Sequence, residues 1–212
     1  MAEPVPDAGA ATADAAYADR LRRLEGAGWK RAVNVQAPYR WNIRRLVTGP
    51  VLDVGCGLGR NLQHVGGNGV GVDHNPDAVR ECRQRGLTAY TTSEFPLAPE
   101  AVPETFQHLL LAHVLEHLVP SAAEHLVRTY VPYIVSGGSV IVITPQEAGQ
   151  RSDATHVTFC DFPTVRRLLK ACGLRVVTQR SFPFPRPVGR VFRHNEFVTV
   201  ARVPDQRAGP RG

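Results

Sequence analysis

The chain has 212 residues, 43% of them hydrophobic and 21% charged. That is the size and composition of one α/β domain with a core of its own. No apolar run approaches the roughly 20 residues of a membrane-spanning helix. The net charge is +6, but no Lys/Arg run exceeds two residues. With no aromatic-rich RNA motif, this argues for a solvated basic surface and against nucleic acid as a partner.

Taken in order, residues 1–16 are rich in Ala, Pro and Asp and read as a disordered leader, not a secretory signal. Residues 17–203 are expected to form a single domain, and 204–212 a disordered tail. Leu21, Leu24 and Trp29 suggest one short helix. Pro38 opens another, with Tyr39, Ile43 and Leu46 at helical spacing. Trp29 and Trp41 suit either packing or a pocket wall.

Val51 to Asn61 reads as a short apolar strand, a glycine turn and the start of a helix. Glycines at 55, 57 and 59 let the backbone turn sharply and approach a ligand where a Cβ would collide. The following helix would point its N–H groups back at that ligand. Gly69 to Asp73 is a second apolar strand ending in an acid, 18 positions after Gly55. An acid there can accept hydrogen bonds from ribose hydroxyls. Asn75 is a good N-cap and Pro76 suits the first helical position. Leu87 to Tyr90 makes a third strand, followed by the loop Thr91 to Pro96. Phe106 to Leu111 makes a fourth.

Ser121 to Glu124 has the form of a capping box, and the helix it opens should run past Ile134 to Gly137. Ser139 to Thr144 is an unbroken apolar run, as expected of a strand buried on both faces. Asp161 caps a helix with Val165, Leu168, Leu169 and Cys172 inward. Arg175 to Val177 and Glu196 to Ala201 are the last two strands. The prolines at 183, 185 and 187 between them fit no sheet interior.

The pattern Asp53-x-Gly55-x-Gly57-x-Gly59, followed by Gly71-Val72-Asp73, resembles the class I S-adenosylmethionine-dependent methyltransferases. Ala112 to Leu118, just after the fourth strand, resembles that family's post-strand segment. The glycine spacing departs from the dinucleotide fingerprint, whose last glycine comes one place later. The resemblance covers about Gly49 to Val200. It implies an α/β, Rossmann-like fold: a seven-stranded, mostly parallel sheet with helices on both faces and the last strand antiparallel. It also implies S-adenosyl-L-methionine as cofactor and methyl transfer by direct displacement. The cofactor contacts it implies are Asp53, Gly55, Cys56, Gly57, Gly59, Asp73, His74, Ser93, Glu94 and Ala112. Ser93 and Glu94 stand in the adenine loop, where the family's usual Asp is missing.

The acceptor is expected to be a small molecule, methylated on oxygen or nitrogen. Asn/Asp-Pro-Pro-Tyr/Phe, the family's mark for base amino groups, is absent after the fourth strand. The rivals are an RNA or protein methyltransferase and a non-enzymatic cofactor-binding module. His113 and His156 are the candidate general bases, since a histidine with an ordinary pKa is mostly neutral at cytosolic pH. His113-x-x-Glu116-His117 also fits an inverted zinc-protease motif. Its place directly after a strand argues against that, and no metal is expected. The four cysteines form no Cys-x-x-Cys pair and fit reduced thiols in a cytoplasmic protein.

Overall fold

The computed structural model describes residues 36–205. The leader, the helix expected around Leu21, Leu24 and Trp29, and the tail beyond Asp205 lie outside the described residues. Seven strands form one sheet in the order β3-β2-β1-β4-β5-β7-β6. They are β1 (Val51–Val54), β2 (Gly69–Asp73), β3 (Ala89–Thr91), β4 (Phe106–Ala112), β5 (Ile134–Pro145), β6 (Arg175–Phe182) and β7 (Glu196–Arg202). The first five pair in parallel, and β7 runs antiparallel between β5 and β6. This is the expected sheet, with its last strand reversed.

The apolar runs are unbroken because both faces of the sheet are covered. Leu109, Leu111, Val140 and Val142 point to one face. There they meet α4 (Pro120–Tyr130) and α6 (Phe162–Ala171) through Ala123, Val127, Val165 and Leu169. Leu110, Ile141, Ile143 and Val198 point to the other. They meet Ile43 and Val47, in and just after α1 (Ala37–Leu46), and Leu62 of α2 (Arg60–His64). Successive strand residues alternate between two cores, as the period of two requires. Two further helices complete the fold, α3 (Pro76–Gln84) and α5 (Glu147–Gln150). No helix among the described residues is long and apolar enough to cross a membrane.

Two helix starts form as their sequences dictate. Asn75 Oδ1 accepts from the N–H groups of Asp77 and Ala78 at 2.9 and 3.3 Å, with Pro76 next in the chain. Asp161 Oδ1 accepts from the Thr164 N–H at 3.0 Å. The capping box at Ser121 does not form. Helix α4 starts two residues earlier, at Pro120, so the capping position falls on Val119, which has no side-chain oxygen. That helix also stops at Tyr130, where a 3₁₀ turn over Val131–Tyr133 begins. Ile134 and Gly137 therefore open β5 instead of closing a helix. Pro132 explains the break, since its ring cannot continue the α-helical ladder.

Replacing Asn75 by Ala removes the side-chain acceptor for two first-turn amides of α3. The expected loss is about 1 kcal/mol of stability, within a range of roughly 0.5–2 kcal/mol. A urea titration should show a lower midpoint at unchanged slope.

Candidate functional site

The parallel strands β1, β2, β3 and β4 all end on one edge, and the chain reverses its order of strand addition between β1 and β4. A crevice opens at such a reversal, outside the carboxyl ends of the strands. The glycine turn sits there. Gly55, Gly57 and Gly59 have φ of 76°, 53° and 77°. A Cβ on Gly55 would stand 2.3 Å from Val114 Cγ2, and one on Gly59 would stand 2.4 Å from Leu87 Cδ1. These two glycines thus answer to packing as well as to any ligand, and enlarging either would strain the fold itself.

The turn is tied to β2. The N–H groups of Gly55 and Cys56 donate to the Val72 carbonyl at 2.7 and 3.2 Å. The Gly57 N–H donates to Asp73 Oδ2 at 2.8 Å, and the Asn75 N–H donates to Asp73 Oδ1 at 2.9 Å. Cys56 is buried in the turn, and Cys82 of α3 donates its S–H to the Gly57 carbonyl at 3.2 Å. His74 is half-exposed, with Nδ1 3.4 Å from Asp73 Oδ1. Helix α2, which follows the turn, has only five residues. The N–H groups expected to point back at a ligand thus belong to a helix of little more than one turn, and the turn and Asp73 shape the edge.

Asp53 lies in β1 at the foot of the turn. It is fully buried, and neither carboxylate oxygen closes a hydrogen bond. Burial pushes its pKa up to about 7, with the Asn61 amide opposing the rise, Asp73 adding to it and Arg60 opposing it. An orphaned buried carboxylate is costly, and its natural complement is a ligand bringing donors or positive charge.

Ser93 and Glu94 stand in the turn after β3. Glu94 Oε2 accepts from the Thr91 N–H and from Arg83 Nη2, both at 2.8 Å. Those contacts hold its carboxyl below the usual range. Ser93 Oγ lies 3.0 Å from Thr91 Oγ1. Both side chains are committed to their own turn, while Thr91 itself pairs in register with Asp73 on the sheet edge.

Past the end of β4, a cleft of about 140 Å³ runs from α1 to the start of β7. Ala112 and His113 line it, together with Asn42, Asn61, His64 and Glu196. His113 sits at φ 60°, a left-handed conformation uncommon outside glycine. Its Nδ1 lies 3.2 Å from Glu116 Oε1, and its Nε2 lies 3.0 Å from Glu196 Oε1. Burial opposes a charge on this ring, but hydrogen bonds and charges from Glu116 and Glu196 outweigh it and hold the pKa up at about 10. His113 is therefore a cation near neutral pH. This does not favour the neutral His113 expected as general base: Glu116, from the same short motif, and Glu196, far along the chain, grip both of its nitrogens.

His64, by contrast, is pushed down to about 4 by burial and by Arg60, Arg40 and Arg44, so it stays neutral in a positive field. Trp41 is not part of the cleft: it is 54% exposed and stacks on Phe182. Tyr39 lines the cleft instead and donates to the His194 carbonyl at 2.7 Å.

His156 does not join His113. It lies against His117, with ring centroids 4.8 Å apart, and is not among the residues lining the cleft. His117 belongs to a 3₁₀ turn, Leu115–His117. His113 and His117, four apart in sequence, therefore do not share an α-helix face. Sequence reasoning missed Glu196, read only as the opening of the last strand. The available signal was an acid at the head of an otherwise buried apolar run. Glu116 was noticed only as part of a protease-like motif.

No protein-family model matches the chain, and no curated relative does. Solved structures do. A putative methyltransferase in complex with the Trm112 methyltransferase activator of Haloferax volcanii superposes with a TM-score of 0.66 at 18% identity, over 90% of this chain and 96% of that one. A SAM-dependent methyltransferase from Archaeoglobus fulgidus gives 0.62 at 18% identity, over 77% and 92%. The 1,6-didemethyltoxoflavin-N1-methyltransferase of Burkholderia thailandensis, with bound 1,6-didemethyltoxoflavin and S-adenosylhomocysteine, gives 0.58 at 18% identity, over 97% and 94%. The described residues therefore have the fold of the SAM-dependent methyltransferases.

The orphaned Asp53 makes a stability prediction. The unfolded chain releases this proton near the ordinary 3.8, while the folded protein holds it up to about 7. Between those values the folded state binds more protons, so stability falls as pH rises through the window and the deficit stays constant above it. Asp53→Asn should remove the decline and stabilise the ligand-free protein at about pH 8 by on the order of 2–4 kcal/mol. Urea midpoints of both proteins at about pH 5 and about pH 8 check this.

Proposed function

We propose that this chain is an S-adenosylmethionine-dependent methyltransferase that methylates a small-molecule acceptor on oxygen or nitrogen. The observation that carries this reading is Asp53: a fully buried carboxylate, beneath a glycine turn, whose oxygens close no hydrogen bond. A methionine-derived cofactor brings an ammonium group and a sulfonium, and a site with that carboxylate suits them. Asp73 keeps one lone pair on each oxygen after accepting from Gly57 and Asn75, which suits a pair of ribose hydroxyls. Both sit on one sheet edge, and Ala112 lines the adjoining cleft.

The cofactor, when bound, supplies a methyl group already activated on sulfur. The chain's own work is then alignment. The glycine turn and Asp73 fix one side, and the cleft beyond Ala112 fixes the other. His113, cationic and braced by two glutamates, suits a positioning role at the junction. Arg60 and Arg193 also line the cleft, so the local field favours an acceptor carrying an anionic group. The acceptor's proton leaves to solvent in this reading.

Calorimetry with S-adenosylmethionine should show one site. Affinity should weaken as pH falls through about 7, because protonating Asp53 removes the charge that the ligand meets. Asp53→Asn should bind more weakly and lose that pH dependence.

Asp73→Asn should lose about 10- to 150-fold in cofactor affinity, the equivalent of roughly 1.5–3 kcal/mol for hydrogen bonds to a charged group. For the acceptor, a metabolite extract supplied with methyl-labelled cofactor should yield a labelled small molecule. Label confined to RNA or protein would overturn the small-molecule assignment, and binding with no transfer to any fraction would leave a cofactor-binding module.

A further inference from the structure

We infer that Glu116, His117 and His156 form a binding site for a divalent transition-metal ion of the zinc type. One ligand atom from each lies within 4.8 Å of the other two. Modest side-chain rotation would bring them to about 3.3 Å apart, the edge of a tetrahedron with bonds near 2.0–2.1 Å. Two imidazoles and one carboxylate are a donor set suited to such an ion, with a coordination position left open.

The site is built rather than assembled by accident of exposure. Glu116 is fully buried, and its Oε2 has no partner, while Oε1 is engaged by His113. Each histidine is held through its other nitrogen. His117 Nδ1 faces the Thr155 carbonyl at 3.2 Å, and His156 Nδ1 faces the Gln150 carbonyl at 3.1 Å. A carbonyl only accepts, so each Nδ1 carries the proton and each Nε2 keeps its lone pair for a metal. Orientation of ligating histidines by backbone carbonyls is a feature of metal sites. Thr155 Oγ1, in turn, donates to Asp153 Oδ1 at 2.8 Å.

The loop that delivers His156 is pinned to the turn that delivers the other two ligands. The N–H groups of Val157 and Thr158 donate to the Glu116 carbonyl at 2.8 and 3.1 Å. Thr158 Oγ1 donates to the Leu118 carbonyl at 2.7 Å. These bonds hold residues 40 to 42 positions apart in place beside each other. The sequence motif around His113 thus does mark a metal-binding group, but with other members: His156 replaces His113. The proposal departs from the expectation of no metal and stands independently of the methyl-transfer reading, because its test measures metal alone.

The test uses the full chain without an affinity tag, stripped with a chelator and dialysed. Titration with zinc should show one ion per chain, confirmed by elemental analysis, and magnesium should not compete. Cobalt(II) should give the visible absorption of a low-coordinate N/O site. His117→Gln and His156→Gln should each weaken zinc binding at least about 10- to 100-fold, the loss expected for disturbing even the shell behind the ligands. His125→Gln, an exposed histidine on α4, should bind as the parent does. Unfolding curves in the absence of metal check that the variants are folded. The assignment falls if the parent chain shows no saturable zinc binding. It also falls if both histidine variants bind zinc as the parent does, or if His125→Gln weakens binding as much as they do.

Discussion

One carboxylate, that of Asp73, holds the working edge of the sheet in shape. Its two oxygens take the Gly57 N–H from the turn after β1 and the Asn75 N–H from the start of α3. Two connections that leave adjacent strands are thereby locked to one point. Backbone amides at such turns have no strand partners, and buried amides must be satisfied somewhere. A short acidic side chain at the tip of β2 satisfies both, and the pairing of two charge-assisted bonds makes it stronger than a neutral residue would be. The glycines of the turn, the cap of α3 and the packing of Cys82 beneath Gly57 all presuppose this arrangement.

Asp53 is the opposite case, twenty residues earlier on the neighbouring strand. Each Asp73 oxygen is already engaged by a backbone N–H of the protein, whereas neither Asp53 oxygen closes a hydrogen bond within the chain. Of two acids on adjacent strands, one shapes the edge while keeping lone pairs to spare, and the other leaves both oxygens unmatched. The contrast also shows why a glycine motif cannot be read for binding alone: Gly55 and Gly59 are required by Val114 and Leu87 before any ligand is considered.

The sheet was legible because its signals are local. Apolar runs bounded by glycine, proline and capping residues locate β1, β2, β4, β5 and β7, and Asn75 and Asp161 mark two helix starts by chemistry that acts within four residues. The errors have equally definite causes. Ser121 had a capping sequence, but Pro120 claimed the first helical position. The site was less legible, because it is made of residues far apart in the chain. His113 touches Glu196, 83 positions away, and no local pattern announces that contact. His156 stood beside His113 only as a second candidate base. The backbone clamp from Glu116 sends it to His117 instead. Sequence chemistry picked several of the right residues, and long-range contacts decided their company.

The reversed direction of β7 has a consequence for how the protein comes into being. Because this strand runs against its neighbours, its first residue, Glu196, arrives at the edge where the parallel strands finish. It must be threaded between β5 and β6, which already stand in the chain before it. During synthesis, β1 to β5 and most of the glycine turn's surroundings can be assembled while β6 still has no hydrogen-bonded neighbour. Pairings of such sequence separation form late. Until the ribosome has released residues 196–202, the nascent chain carries a turn and a cleft wall but lacks one of the two glutamates that grip His113. The electrostatic setting of the cleft is therefore complete only once β7 stands in the sheet and brings Glu196 to His113.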